Sequence, residues 1–329
     1  MRRGLTLLLA LLLLSGLPGY GQDLFRYHGD PIPANIESLY VKGLNYLQKS
    51  QTNAGGWPDS YGSQPGVIGL AVLAMLAHGE DPNFGPYART IRLGLDNILK
   101  QCNATTGYIG SSMYNHGFAT LALAEAYGTV NDPRIGPALK RAVDLILSSQ
   151  ARNNFGAWRY SPESNDADTT VSGAQMVALF AASNAGLPIP DKAIKTGLNY
   201  YRTTQSEDGG FGYSSAGGSN GPRSAIGALV FALGKQKDTR EFKAAFKYIE
   251  QVGFQESSYP YYYLYYASQA FFHGDMKVFE KWNIENARWL GGTQNTDGSW
   301  MGSHGQTFST ASALLSLAVN YRLVPIYER

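Results

Sequence analysis

Asp166-Ala167-Asp168-Thr169-Thr170 is the stretch of this 329-residue chain whose residue types and spacing best suit chemistry. Two carboxylates one residue apart can share acid and base work when their surroundings push their proton affinities apart. The same stretch has a structural use, because Asp168 ahead of Thr169-Thr170-Val171 makes a good helix N-cap. His116, beside Tyr114 and Asn115, and His304 add groups that could act with such an Asp as acid and base or hold a metal. A zinc site needs three or four ligands, which these residues do not supply in one motif. Tyr259, Tyr261, Tyr262, Tyr263, Tyr265 and Tyr266 crowd around Pro260 and Leu264. Aromatic faces of that kind can stabilise a cation, stack on sugar rings, or simply fill a core with their hydroxyls bonded. The candidate catalytic residues are therefore Asp168 and Asp166, and the candidate ligand contacts are Tyr114, His116, Tyr261, Tyr265 and His304. Arg223 is a further charged group at a comparable place.

What positions these residues is a repeat. Aromatics preceded by glycine recur as Gly55-Gly56-Trp57, Gly107-Tyr108, Gly156-Ala157-Trp158, Gly209-Gly210-Phe211 and Gly298-Ser299-Trp300. The aromatics are 51, 50, 53 and 89 residues apart, so one unit near 250–260 has lost its marker. Each unit reads as helix, glycine turn, helix. Ahead of the turn the pattern is amphipathic, with Ile36, Tyr40, Leu44 and Leu47 at helical spacing and Glu37, Lys42 and Asn45 between them. After the turn it is apolar all round, as in Val67-Ile68-Gly69-Leu70-Ala71-Val72-Leu73-Ala74-Met75-Leu76. A helix with one wet face belongs outside and one without belongs inside. Six alternations predict an all-α ring of six inner helices wrapped by six outer ones. The later inner helices are expected to begin near Tyr114, Thr169, Arg223, Tyr261 and Phe308. All would start at one end, so their first residues and positive dipole ends converge on one mouth. Gln51, Gln101, Gln150, Gln205 and Gln294 close the outer helices, where a side-chain amide can satisfy open backbone groups.

Lys42-Gly43, Tyr46-Leu47, Gln51, Gly55 and Trp57 resemble the Gln-Trp repeat of squalene and oxidosqualene cyclases, as do Gly197, Tyr200, Gln205, Gly209 and Phe211. Trp289, Leu290, Gln294, Gly298 and Trp300 match its second half. The resemblance extends over residues 34–325 and implies the α/α toroid that terpenoid cyclases share with protein prenyltransferase β subunits. It also implies a role for Asp168, which falls on the middle, proton-donating Asp of the cyclase Asp-x-Asp-Asp-Thr motif. Thr169 stands where that motif has its third Asp. The Asp-x-Cys plus His zinc set of the prenyltransferases is missing, and nothing in the chain calls for a cofactor.

Composition narrows the rest. Arg2, Arg3 and the apolar run Leu5 to Leu14 read as a secretory signal cut after Gly21, followed by an extension over 22–33 and one toroid domain over 34–329. Without residues 1–21 the basic and acidic residues number 25 each, which leaves no electrostatic footprint for nucleic acid or anionic lipid. No later segment has the unbroken apolar length of a membrane span. Cys102 stands alone and cannot make an internal disulfide, so packing must hold the fold. Asn103-Ala104-Thr105 would be a glycan acceptor only in a eukaryotic secretory route. The expectation is an exported, periplasmic or secreted toroid that binds an apolar, isoprenoid-like or extended ligand, or a partner, in its centre, the partner being another protein or, by self-association, a second copy. An acid-initiated terpene cyclase using Asp168 and a carbohydrate-active toroid are the alternatives.

Overall fold

The computed structural model describes residues 32–60, 62–254 and 258–327. The expected signal sequence and most of the extension lie outside the described residues. Among the described residues, twelve α-helices alternate in burial as the pattern requires. The outer set is α1 (Ala34–Ser50), α3 (Ala88–Gln101), α5 (Ile135–Arg152), α7 (Asp191–Thr204), α9 (Arg240–Val252) and α11 (Met276–Thr293). The inner set is α2 (Pro65–His78), α4 (Met113–Ala126), α6 (Thr169–Asn184), α8 (Gly221–Leu233), α10 (Pro260–Gly274) and α12 (Gln306–Ala318). Every residue from Ile68 to Ala77 of α2 is buried, whereas α3 buries a stripe that includes Ile91, Gly94, Leu95 and Ile98. Each inner helix packs against the next, and α12 returns to α2, so the ring closes. The result is an α/α toroid. Among the described residues no helix is long and apolar enough to cross a membrane.

The recurrent turn is the joint between units. Gly55, Gly107, Gly156, Gly209 and Gly298 all have φ between +64° and +91°, which disfavours any residue with a Cβ. Space excludes a side chain too: a Cβ on Gly298 would lie 2.3 Å from the Lys42 carbonyl oxygen. The indole that follows is buried and donates back to its own outer helix, Trp57 to Leu47 O at 2.8 Å, Trp158 to Ile146 O at 2.9 Å and Trp300 to Leu290 O at 3.0 Å. The preceding glutamine reaches forward. Gln51, Gln150, Gln205 and Gln294 each donate to a carbonyl of their own turn and to one on the next outer helix, at Thr90, Ala193, Glu241 and Leu39. The last of these ties the end of α11 to α1. Gln101 departs from the pattern, its amide bonding Asn97 Oδ1 on its own helix at 2.6 Å. In the unit without a marker, Phe254 after α9 stacks on Trp282 of α11 at 4.3 Å.

Candidate functional site

The inner helices all begin at the same end, and contacts between units bind those beginnings together. The Met113 amide donates to Tyr160 O, the Thr169 amide to Tyr213 O, and the Phe308 amide to Asp59 Oδ2, each at 2.8 Å. Asn115 Nδ2 donates to Gln64 Oε1 across the starts of α4 and α2 at 2.8 Å. Amides that a helix start leaves open are thus taken up by the loop of a neighbouring unit.

Asp168 sits at the centre of one side of this mouth and is fully buried. Its Oδ1 caps α6, accepting from the amides of Thr170 at 2.9 Å and Val171 at 2.8 Å and from the Thr170 hydroxyl at 2.6 Å. Its Oδ2 has no hydrogen-bond partner and faces Arg159 Nε at 3.5 Å. Burial pushes the Asp168 carboxyl above the usual carboxylate range, against the pull of the Thr170 hydroxyl, the two amides and Arg159. Tyr114 donates its hydroxyl to Thr170 Oγ1, so a hydrogen-bonded line runs from Tyr114 through Thr170 to Asp168. Tyr200, from α7, brings a buried hydroxyl without a partner toward the same cluster, and burial and the Asp168 charge raise its pKa.

Arg159 organises the rim above. One of its nitrogens lies 3.1 Å from Asp166 Oδ2, and Asp166 is 62% exposed where Asp168 is sealed. Its guanidinium carbon stands 5.3 Å from the ring centre of Tyr160 and 5.1 Å from that of Tyr213, and the guanidinium carbon of Arg223 stands 5.9 Å from the ring centre of Tyr213. Tyr160 and Tyr213 are hydroxyl-bonded to each other, and Tyr160 is 47% exposed. Across the mouth, His304 stacks on Tyr259 at 5.1 Å and meets the edge of Phe308 at 5.2 Å. Burial lowers the His304 pKa and the nearby Asp59 charge partly restores it.

Below the rim the ring axis is packed with aromatics. α4 and α10 stand opposite each other in the ring, yet Phe118 and Tyr265 meet at 6.4 Å. Tyr266 meets Tyr265 edge-to-face at 4.6 Å and Tyr262 in the same way at 5.1 Å between ring centres. Burial, with the neighbouring hydroxyls of Tyr266 and Tyr114, holds Tyr262 well above 10. Between Tyr262, His304 and Phe308 the mouth keeps a cavity of only about 10 Å³.

The structure therefore brings Asp166, Asp168 and Tyr114 together, sets His304 on the opposite rim, and places Tyr265 on the axis. His116 and Tyr261 do not join them. His116 is buried between α4 and α5, Nδ1 accepting from the Ile109 amide at 3.2 Å and Nε2 facing Ala142 O at 3.0 Å, and burial pushes its pKa down to about 4. Tyr261 turns outward onto Trp289 of α11, at 5.5 Å. Helical geometry divides the tyrosine cluster, with Tyr262, Tyr265 and Tyr266 inward and Tyr261 and Tyr263 toward the outer layer. Sequence reasoning did not single out Arg159, Tyr160, Tyr213 or Asp59. The signal that marks them is register: Asp59, Tyr160 and Tyr213 each lie two residues after the turn aromatics Trp57, Trp158 and Phe211.

A closed toroid with a polar, aromatic rim over a packed axis is the class of protein that this fold and site define. No family model matches the chain, and no curated protein matches it. Solved structures do. The α-1,6-mannanase GH76A of Salegentibacter sp. HEL1_6 aligns with a TM-score of 0.68 at 9% identity, over 88% of this chain and 99% of that one. An inactive variant of it with two aspartates changed to asparagine, in complex with α-1,6-mannotriose, gives 0.67 at 10% over the same shares. A variant of the type II terpene cyclase MstE from Scytonema, in complex with the substrate geranylgeranyl dihydroxybenzoate, gives 0.62 at 17% over 88% of this chain and 98% of that one. At these identities the likeness is one of fold, the α/α toroid.

Proposed function

We propose that this is an exported toroid that binds an extended oligosaccharide across its mouth. The observation that carries the reading is where aromatic and charged surface lies. Tyr160 and, opposite, Tyr259 are exposed rings at the rim, with half-buried Tyr213 beside Tyr160, interleaved with Arg159, Asp166 and Arg223, whose polar atoms suit hydroxyl groups. A long apolar ligand along the axis would first have to displace Phe118, Tyr265 and Tyr266 from one another. The mannotriose complex of a toroid neighbour supports the reading by analogy of fold alone. The test is calorimetric titration with α-1,6-mannotriose and with geranylgeranyl dihydroxybenzoate. Mannotriose is expected to bind, and Tyr160→Ala and Tyr213→Ala each to weaken it about two- to twelvefold, the equivalent of about 0.5–1.5 kcal/mol per aromatic face. No binding of mannotriose, or wild-type affinity in both variants, would refute it.

A second reading, acid-initiated cyclisation, is favoured by one specific feature. Asp168 is a sealed carboxyl with a raised pKa, an Oδ2 that accepts no hydrogen bond and a hydrogen-bonded line to Tyr114, features that suit a proton donor. Its test is product formation from geranylgeranyl dihydroxybenzoate, expected in the wild type and lost in Asp168→Asn. Absence of product from the wild type would sink this reading.

A further inference from the structure

At the opposite end of the ring, where the inner helices finish, lies a cavity of about 600 Å³. That volume is in the range of small-molecule sites, about 300–1,000 Å³. Its walls come from the ends of α6, α8 and α10 and from the closing 3-10 turn Pro325–Tyr327. The turn is fixed in place: His273 Nε2 lies 3.1 Å from Ile326 O, and Asn184 Nδ2 donates to Pro325 O at 3.4 Å. Ala232, Leu233, Pro325 and Ile326 line it with apolar groups, and Lys235, Lys237 and Asp238 line it with charged ones. Two lysines against one aspartate leave the cavity one net positive charge. Lys237 Nζ spends one proton on His273 O at 3.0 Å and keeps its others for a ligand.

Lys235 carries a second, independent sign. α8 ends with the Lys235 amide on Ala232 O at 3.1 Å and the Gln236 amide on Phe231 O at 2.9 Å, a double bond pattern that places Lys235 in the left-handed region, at φ +57°. α2 and α6 end with the same two bonds, and there the position is held by Gly79 at φ +93° and Gly186 at φ +87°. A lysine is disfavoured in that conformation and a glycine is not. Among the described residues only Lys235 and Arg322 combine a side chain with positive φ, and both are basic. A cation near a helix C-terminus is favourable at any position of the last turn. That does not explain a lysine at the one position where glycine fits best.

We infer that this cavity is a binding site for a small carboxylate with an apolar body, its head group held by Lys235 and Lys237 and its body on Leu233 and Ile326. The test uses hexanoate as probe, with hexanol as the neutral control and inorganic phosphate as the bare anion, titrated calorimetrically into the full chain. Hexanoate is expected to bind at least tenfold more tightly than either control. Lys235→Gly and Lys237→Ala should each weaken it at least tenfold, and Lys243→Ala, exposed on α9, should leave it unchanged. Lys235→Gly should also raise the melting temperature, because glycine suits the backbone, so lost binding cannot be blamed on lost folding. Hexanoate binding no better than hexanol, or unchanged in both cavity variants, would overturn the inference.

Discussion

Replacing Asp168 separates its cap from its acid. Oδ1 gathers two backbone amides and one hydroxyl within 2.9 Å. Asparagine offers an amide oxygen to the same three donors and caps helices about as well as aspartate, whereas alanine at a cap costs about 0.5–2 kcal/mol. The buried setting puts Asp168→Ala near the upper end, about 2 kcal/mol. In Asp168→Asn the attraction between Oδ2 and Arg159 is lost, but so is the burial penalty on the carboxylate, and the two oppose each other. The expected net change is within about 1 kcal/mol, measured by urea unfolding at neutral pH. The pH profile adds a signature. A carboxyl whose folded pKa is raised binds its proton more tightly in the native state. Its contribution is full below the ordinary value of 3.8 and is lost as pH rises through the folded pKa. Asp168→Asn should remove that slope. Since Asp168 is sealed and offers the sugar no contact, mannotriose affinity should stay within about twofold of wild type. Asparagine as damaging as alanine, or an unchanged pH slope, would refute the reasoning.

The joint between units makes a paired prediction. Gln294→Ala removes bonds to Gly298 O and Leu39 O and should destabilise by about 1–3 kcal/mol, while Gln101→Ala, which reaches no other helix, should cost less than about 0.5 kcal/mol. Equal costs in chemical denaturation would show that the reach across units is unimportant. His116 is held neutral, with a folded pKa of about 4 against 6.5. Its contribution is therefore present above 6.5 and lost as pH falls toward 4, about 3 kcal/mol in all. His116→Gln should flatten that acid limb, and a limb of unchanged depth would move the cause elsewhere. Phe118→Ala empties the centre of the axis and should cost about 3–5 kcal/mol, read from the urea midpoint; a loss under about 1 kcal/mol would mean that the axis is not a packed core.

The fold was readable because a repeat states it several times. A single amphipathic stretch such as Ile36 to Leu47 is weak evidence, but its alternation with stretches like Val67 to Leu76 leaves two layers as the arrangement that buries both. The expected inner starts at Tyr114, Thr169, Arg223, Tyr261 and Phe308 fall within about one turn of the observed ones for the same reason, since all but the one at Tyr261 follow a marked glycine turn and that one follows from the repeat length. The site was less readable because it occupies positions that the repeat leaves free. Two residues beyond the turn aromatic the sequence carries Asp59, Gly110, Tyr160, Tyr213 and Gly302, with no common type. The backbone there satisfies its neighbours through Tyr160 O and Tyr213 O, so the fold constrains main chain and leaves side chains to vary. His116 shows the converse. It lies beside Tyr114 at the start of α4, and sequence proximity suggested a shared role. A helix turns about 100° per residue, so Tyr114 and His116 point to opposite layers. Tyr114 reaches Thr170 and the mouth, while His116 reaches Ala142 on the outer ring. In a toroid of this kind, a polar residue near an inner-helix start becomes a site candidate only once its direction is known, and periodicity within the helix supplies that direction only when the neighbouring residues differ in polarity. Across Tyr114-Asn115-His116 all three are polar, so the sequence there does not show which of them faces the mouth.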